Sequence, residues 1–199
     1  MDPDSIFDFI DKLRHRPSRV AAALADAPAP SLSTVFMDLS SESCNHNCTF
    51  CDGNMYTVPR ATFSRERLLS IADELADLGV ESVIFAGEKS EPTLHPGFER
   101  FAEKLLGLGF GLGIYTNGSV VRGSLIELLA RFRFVRVSID SGTAETHRRI
   151  HNYDYARDDF QRLQDFLRGV RNAGASQVGP SFVLLPGNLG GVGLAPRRV

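Results

Sequence analysis

The chain has 199 residues, of which 43% are hydrophobic and 23% are charged, and its formal net charge is −2. This composition is typical of a globular domain with one buried core, and it excludes a strongly basic surface for nucleic acid. No apolar run approaches the ~20 residues that a membrane-spanning helix requires, and residues 1–19 lack the apolar core of a signal peptide. We therefore expect a soluble, cytoplasmic protein without nucleic-acid or membrane partners.

The first 30 residues differ in pattern from the rest. Apolar residues recur at helical spacing over Asp4–Leu13, which predicts a short amphipathic helix. An Ala/Pro-rich stretch at residues 21–30 is typical of a linker. We therefore predict a helix and linker over residues 1–30, a core over residues 31–188, and an irregular, glycine-rich tail over residues 189–199.

Strand-like and helix-like segments alternate through the predicted core. The predicted strands are Thr34–Leu39, Ser82–Ala86, Gly111–Thr116, Phe134–Ile139 and Ser181–Leu185. The predicted helices are Ser64–Leu78, Gly97–Leu108, Leu125–Phe132 and Asp158–Ala173. Ser64 has the residue type of an N-cap, and Gly79 has that of a helix stop.

Repeated strand-then-helix order predicts an α/β fold with a parallel sheet and right-handed crossovers. In such sheets, functional residues lie in the loops that follow the carboxyl ends of the strands. The chemically notable residues of this chain occur at these ends: Cys44 to Cys51, Gly87 and Glu88, Asn117 and Gly118, Asp140, and Asn188. We expect them to converge on one edge of the sheet.

Three cysteines, the only ones in the chain, follow the first predicted strand as Cys44, Cys48 and Cys51. An odd number within one short loop is a poor disulfide framework and a good ligand cluster, and thiolates suit an iron–sulfur cluster or zinc. One alternative is a structural zinc site with His46 as fourth ligand, although such sites usually use two separated ligand pairs. The other is three unrelated buried cysteines.

The pattern Cys-x3-Cys-x-aromatic-Cys resembles the signature of the radical SAM superfamily, and the resemblance extends over roughly Val35–Asn188. It is strongest to the branch of molybdenum-cofactor GTP cyclases and peptide maturases. The resemblance implies that Cys44, Cys48 and Cys51 hold a [4Fe–4S] cluster, that S-adenosylmethionine (SAM) chelates its open iron, and that Phe50 lies by the cluster and adenine. It also implies a partial, TIM-like (β/α)6 barrel. Because about five of six strands are present, we expect a C-terminally truncated member or one that a partner completes.

The family's second motif, Gly-Gly-Glu, contacts the SAM amino group, and this chain departs from it. The segment reads Ala-Gly-Glu-Lys-Ser-Glu-Pro-Thr-Leu-His-Pro from Ala86. Gly87 and Glu88 directly follow the second predicted strand, and this position favours them as the contacts of the SAM amino group. The Glu-Pro-Thr-Leu-His-Pro that follows favours Glu91 instead. Lys89 lies between the two carboxylates and can pair with either, which would weaken SAM binding.

Other strand ends resemble further SAM contacts of the family, and these residues are Asn117, Ser138, Asp140 and Asn188. Period-two geometry places Ser138 and Asp140 on one side of their strand. Each of two residues also has an explanation that does not involve SAM. Asn117 taken by itself is a turn signal, and Asp140 can cap the turn that follows it. Asn188 would meet the ribose. We assign no chemistry to three scattered histidines, His95, His147 and His151.

The resemblance implies an enzyme that cleaves SAM reductively to a 5′-deoxyadenosyl radical, which abstracts hydrogen from an unknown small-molecule or peptide substrate. Its reaction class remains open among oxidoreductase, lyase and transferase. A reductant such as flavodoxin or ferredoxin would supply the electron. The alternative is a truncated, non-catalytic fragment that binds an iron–sulfur cluster or zinc.

Overall fold

A computed structural model describes residue 25 and residues 33–41, 43–55, 59–153 and 159–194. Its five-stranded sheet follows chain order, and all neighbouring strands are parallel. The strands are β1 (Thr34–Met37), β2 (Ser82–Phe85), β3 (Gly111–Thr116), β4 (Phe134–Ser138) and β5 (Val178–Ser181). The predicted α/β class and parallel sheet are confirmed. The predicted helix at Asp4–Leu13 lies outside the described residues, as does the predicted linker apart from Ala25.

Helices connect the strands, and four of the five in the described part of the chain lie close to the predicted positions. The helices are α1 (Arg65–Asp77), α2 (Phe98–Gly107), α3 (Gly123–Leu129), α4 (Ala144–His151) and α5 (Asp159–Asn172). Ser64 caps α1 by accepting a hydrogen bond from the Arg67 backbone N–H at 3.1 Å, and Gly79 follows its end with φ +68°. None of the helices in the described part of the chain has the length and apolar character needed to cross a bilayer.

One face of the sheet packs against the helices and forms the hydrophobic core. A cluster of aromatic rings lies at its centre, where Phe85 contacts Phe98 and Phe101 at centroid distances of 5.0 and 5.9 Å. Phe132 stacks on Phe85 at 6.1 Å. These four side chains are at most 2% exposed, so their burial anchors β2, α2 and the start of β4 to one another.

The opposite face of the sheet, which we call the inner face, carries the alternate strand residues. Its members include Phe36, Ile84, Tyr115, Arg136 and Ser138. Phe36 is 67% exposed and Tyr115 is 40% exposed, whereas the strand neighbours of Tyr115 are buried. The inner face therefore lies open in the described part of the chain.

The fifth strand differs from the prediction. It spans Val178–Ser181 rather than Ser181–Leu185, so the predicted position is wrong. Gly179 and Pro180 hide it in the sequence because both are depleted from strands. Pro180 is tolerated because β5 pairs only with β4 among the described strands, and an edge strand needs no outward N–H donor.

Residues 189–194 also differ from the expectation of an irregular tail, since they form a 3-10 helix. This helix lies against the loop after β4. A Cβ on Gly142 would lie only 2.3 Å from the Gly191 carbonyl oxygen and 2.7 Å from Leu194 Cβ. The close approach depends on glycine at residue 142.

Candidate metal centre

A cavity of about 830 Å³ lies at the carboxyl edge of the sheet. Loops after β1, β2, β3 and β4 form its wall, which is where a parallel sheet gathers functional residues. The structure brings together here most of the residues that the sequence selected: Cys44, Cys48, Phe50, Cys51, Gly87, Glu88, Glu91, Asn117, Ser138 and Asp140. Asn188 is not among the residues that line it.

The cysteine loop carries three unpaired thiols on the cavity wall. Backbone hydrogen bonds hold the loop to the end of α4, from Thr49 N to Ile150 O at 2.8 Å and from Asn47 N to His151 O at 3.1 Å. The Cys51 thiol donates to the Glu88 carbonyl at 2.9 Å. The loop is therefore fixed by segments far away in the sequence.

Burial raises the pKa of Cys44. It also raises the pKa of Cys48 to about 12, with further contributions from the neighbouring Cys44 and Cys51. Three thiolates this close together repel one another, so a cationic metal centre is needed to stabilise them as ligands. The chemistry of the donor set, three thiols from one loop beside an open cavity, fits a cubane iron–sulfur cluster with one iron left for another ligand.

Three buried imidazoles cluster at the cysteine loop: His46 belongs to the loop itself, and His147 and His151 belong to α4. His151 Nδ1 lies 3.1 Å from Cys48 Sγ, and the ring centroids of His147 and His46 lie 4.2 and 5.4 Å from that of His151. His46, Cys48 and His151 each place one ligand atom within 4.8 Å of the others. The interpretation of His147 and His151 as scattered is therefore wrong. Their i, i+4 spacing was the available signal, because it places both on one face of α4.

Burial lowers the pKa of His147 and of His151. Both rings are therefore neutral near pH 7, the form in which imidazole binds a metal ion. This arrangement keeps the zinc alternative open, with His46 as the ligand that the sequence suggested. His95 is different, because its Nδ1 accepts from Gly97 N and its Nε2 donates to Phe63 O, both at 3.0 Å.

Glu88 and Glu91 both line the cavity but have different surroundings. Glu91 is 3% exposed. Its carboxylate accepts hydrogen bonds from Thr93 N (3.1 Å) and Thr93 Oγ1 (2.6 Å), from Thr116 Oγ1 (2.7 Å), and from Asn117 N (2.7 Å). It ties the loop after β2 to the end of β3. Glu88 is exposed, and its carboxylate makes no hydrogen bond to another residue that the structure describes.

The loop that carries Glu88 is shaped by Asp38, a residue that the sequence analysis missed. Asp38 directly follows β1 and lines the cavity. Its Oδ2 accepts from Glu88 N at 3.3 Å, and its Oδ1 accepts a short hydrogen bond from the Ser90 hydroxyl. The loop requires glycine at Gly87, because a Cβ there would lie 2.0 Å from Ser90 Oγ. An acidic residue at the carboxyl end of a strand was the signal available in the sequence.

Asn117 supports the cysteine loop from the end of β3, and Phe50, within the loop, contacts His151 of α4. Asn117 Nδ2 donates to Asn45 Oδ1 at 2.9 Å and lies 3.8 Å from Cys44 Sγ. The Phe50 ring meets His151 edge-on at a centroid distance of 5.7 Å. Both side chains also face the cavity.

Asp140 is buried in a left-handed conformation, with φ +53°. Its Oδ1 accepts from Val183 N at 2.7 Å, and its Oδ2 lies 3.4 Å from His151 Nε2. It therefore holds the segment after β5 rather than the turn that follows it. Burial raises the pKa of Asp140 to about 6. Ser138, two residues earlier, lines the cavity from the inner face.

Asn188 is 2% exposed and does not reach the cavity. Its amide donates to Asp140 O and Val183 O and accepts from Leu185 N, each at 2.8 Å. All of these partners belong to the protein backbone. The assignment of Asn188 to a ribose contact is therefore corrected: this side chain closes the loop after β5.

Comparison with known proteins adds independent findings. The model of the Radical SAM superfamily matches residues 39–190 of the chain. An S-adenosylmethionine-dependent nucleotide dehydratase from Flammeovirga pacifica is 31% identical over 113 residues, which are 54% of this chain and 38% of that protein. A tungsten-containing aldehyde ferredoxin oxidoreductase cofactor-modifying protein from Pyrococcus furiosus is 27% identical over 96 residues, 48% of this chain and 27% of that protein.

Among solved structures, SuiB of Streptococcus suis bound to S-adenosylmethionine superposes with a TM-score of 0.63 at 18% identity. The match covers 88% of this chain and 40% of SuiB. At that identity the likeness shows the fold, a partial TIM-like barrel. The chain thus spans about two fifths of the length of these relatives or less.

Proposed function

This chain belongs to the radical SAM superfamily, and on that premise we propose that Cys44, Cys48 and Cys51 hold a [4Fe–4S] cluster beside a SAM site in the cavity. The superfamily is one that binds both cofactors. When bound, they supply one-electron reductive cleavage of SAM for hydrogen abstraction from a substrate. The observation that carries the proposal is the convergence of three unpaired thiols on one wall of a large cavity.

The charges of the cavity support SAM as the second ligand. SAM carries a sulfonium and an ammonium group against one carboxylate, so it is cationic overall. Five carboxylates line the cavity, and no lysine or arginine does within the described part of the chain: the acidic residues are Asp38, Asp52, Glu88, Glu91 and Asp140. An acidic wall concentrates a cationic ligand.

Individual roles follow from the hydrogen bonds already made. Glu88 is the proposed partner of the SAM ammonium, because its carboxylate is exposed whereas that of Glu91 already accepts four hydrogen bonds. Asp38 holds the loop around Glu88, because it accepts hydrogen bonds from Glu88 N and from the Ser90 hydroxyl. Asn117 and Ser138 offer polar groups to the rest of SAM, and Phe50 offers a ring face.

We propose that the chain works in the cytoplasm with a reductant such as flavodoxin or ferredoxin, and that it acts as an enzyme on a small-molecule or peptide substrate. A second candidate is a non-catalytic metal-binding module. The donor set of His46, Cys48 and His151 favours it, since two imidazoles and a thiolate suit zinc.

Anaerobic reconstitution with iron and sulfide separates the two candidates. We expect about four iron and four sulfide per chain, and a loss of both in each of Cys44→Ser, Cys48→Ser and Cys51→Ser. If the chain is instead a zinc-binding module, zinc binding should be retained in Cys44→Ser and Cys51→Ser and lost in His151→Ala. Uptake of zinc alone, with no cubane absorption, would refute the proposal. Formation of 5′-deoxyadenosine from SAM with dithionite then tests catalysis.

A further inference from the structure

Cys48 belongs to two different sets of metal-binding side chains. It is one of the three thiols assigned to the cluster, and its Sγ also lies 3.1 Å from His151 Nδ1. Together with His46, these two residues place one ligand atom each within 4.8 Å of the others. We call His46, Cys48 and His151 the histidine–cysteine group. All three line the cavity, so a metal ion can reach them from solvent.

His151 is oriented as a metal ligand. Its Nε2 lies 3.2 Å from Ile139 O and 3.4 Å from Asp140 Oδ2. Because a carbonyl oxygen only accepts, Nε2 carries the ring proton and Nδ1 presents its lone pair to Cys48. In the metal-free chain the Cys48 thiol donates to this lone pair. A metal ion that replaces the thiol proton therefore meets a sulfur and an imidazole nitrogen already side by side.

His46 has a similar support on one of its ring nitrogens. His46 Nε2 lies 3.3 Å from Asp159 Oδ2, and both side chains are at most 3% exposed. Histidines that bind metal almost always donate their second ring N–H to a carboxylate or a carbonyl, which fixes the tautomer and the ring orientation. Each imidazole of the histidine–cysteine group has such a partner: Asp159 for His46 and Ile139 for His151.

The donors of the histidine–cysteine group suit a borderline-soft divalent ion such as zinc. Zinc binds nitrogen at about 2.0–2.1 Å and sulfur at about 2.3 Å, so neighbouring ligand atoms of a tetrahedral site lie about 3.3–3.6 Å apart. The observed separations, from 3.1 Å up to 4.8 Å, come within about 1 Å of these values. The cavity leaves the fourth position to water, as in zinc sites with three protein ligands.

Zinc and the cubane compete because both require Cys48. Each iron that the protein holds takes its own thiolate, and the chain has only three cysteines. Once Cys48 binds zinc, Cys44 and Cys51 remain, which is one ligand fewer than the cluster needs. Neither of these two thiols belongs to the histidine–cysteine group, so zinc does not depend on them.

We propose that His46, Cys48 and His151 hold one zinc ion when the cluster is absent, so that the chain carries either zinc or a cubane and never both. The exclusion rests on the proposed function, whereas the non-catalytic module has no cubane at all. Binding breaks the Cys48 S–H bond and forms a sulfur–zinc bond; the proton goes to solvent, and no group is oxidised or reduced. Zinc thereby stabilises the cysteine loop and blocks cluster loading until the ion is removed.

The test loads the metal-free wild-type chain anaerobically with increasing zinc, up to about one ion per chain, before iron and sulfide are added. We expect the cubane absorption to fall in proportion to the bound zinc, so that the two occupancies sum to about one per chain. Removal of zinc with a chelator should restore the cubane. X-ray absorption at the zinc edge should show one sulfur and two imidazole ligands.

Two variants separate the two metal sites. In His151→Gln the longer amide can still donate to Ile139 O but offers no Nδ1. This variant should bind zinc at least about tenfold more weakly and should load the cubane even when zinc is present. Cys44→Ser should show the opposite pattern, with wild-type zinc affinity and no cubane.

His147→Asn is the matched control. His147 lies one turn before His151 on α4 and is also buried, but it is outside the histidine–cysteine group. Asparagine can place a polar atom where His147 Nδ1 contacts Tyr153 OH at 3.3 Å. This variant should match the wild type in zinc affinity, cubane content and melting temperature.

Three results would overturn the inference: zinc and a cubane on the same chain, cubane loading that zinc does not change, or equal zinc affinity in His151→Gln and His147→Asn. The first two need only the wild-type chain, so they hold even if a variant fails to fold. A zinc-free chain that never takes up a cubane would instead refute the proposed function and, with it, the exclusion. The zinc affinities of the two histidine variants would then still decide whether these residues form a zinc site.

Discussion

Replacing Glu91 with glutamine distinguishes a structural carboxylate from a SAM-binding one. The two side chains have nearly the same shape, but the glutamine amide keeps only one acceptor oxygen. Glu91 Oε1 accepts three hydrogen bonds, two from Thr93 and one from Thr116, whereas Oε2 accepts one from Asn117 N. Glutamine will therefore place its oxygen at the Oε1 position and its NH2 group against the Asn117 N–H.

The loss of stability follows from that one mismatch. A hydrogen bond to a charged acceptor is lost, and a buried donor loses its partner, which together cost about 2–4 kcal/mol. Burial raises the pKa of Glu91, so removing the charge returns part of its desolvation energy. We expect a net loss of about 2 kcal/mol in the free energy of unfolding.

Urea unfolding of the metal-free chain measures this difference. With a slope of about 2 kcal/mol per M, the midpoint of Glu91→Gln should fall by about 1 M. Glu88→Gln is the matched control from the same loop. Because Glu88 is exposed, its variant should change stability by less than about 0.5 kcal/mol and should weaken SAM binding after reconstitution. Equal midpoints for the two variants, or the reverse order, would refute the assignment of roles.

Three further predictions concern the fold around the site. The folded state raises the pKa of Asp140 from 3.8 to about 6, so this carboxyl lowers the stability by about 3 kcal/mol as pH rises from about 4 to about 6, while the lowered pKa values of His147 and His151 act in the opposite direction. Asp140→Asn should therefore gain stability relative to the wild type across this range, and parallel pH curves of unfolding free energy would contradict this. Asn188→Ala removes three backbone contacts and should lower the free energy of urea unfolding by about 3 kcal/mol; a change below about 0.5 kcal/mol would argue against the loop-closing role. Gly113→Ala should destabilise by about 1–3 kcal/mol through contact with Phe134, and Gly113→Ala combined with Phe134→Leu should recover stability in the same assay, so an additive loss would exclude that contact.

Local patterns predicted most elements of the fold because their signals are short-range. Period-two and helical spacings located β3 at Gly111–Thr116 without error and placed α1 within one residue of its observed ends. The fifth strand failed because its sequence contains Gly179 and Pro180. Pairing with β4 at a sheet edge overrides those propensities.

The candidate site shows the same division between features with a local sequence signal and features that depend on long-range contacts. The cysteines could be selected because three ligands within one loop form a local pattern. The contact between His151 and Cys48 could not, since it joins residues 103 positions apart. The sequence also left Glu88 and Glu91 as alternatives. The two differ because Thr116 and Asn117, at the end of another strand, donate hydrogen bonds to Glu91. The Glu88 carboxylate is exposed instead.

The sequence by itself determined the alternation of strands and helices, the thiol trio and the acidic and polar residues at the strand ends. These follow from spacing and side-chain chemistry, which are properties of neighbouring residues. The tertiary structure alone decided which carboxylates are already hydrogen-bonded and which imidazoles approach the thiols. Those facts depend on strand register and crossover packing, which bring together residues that have no relation along the chain.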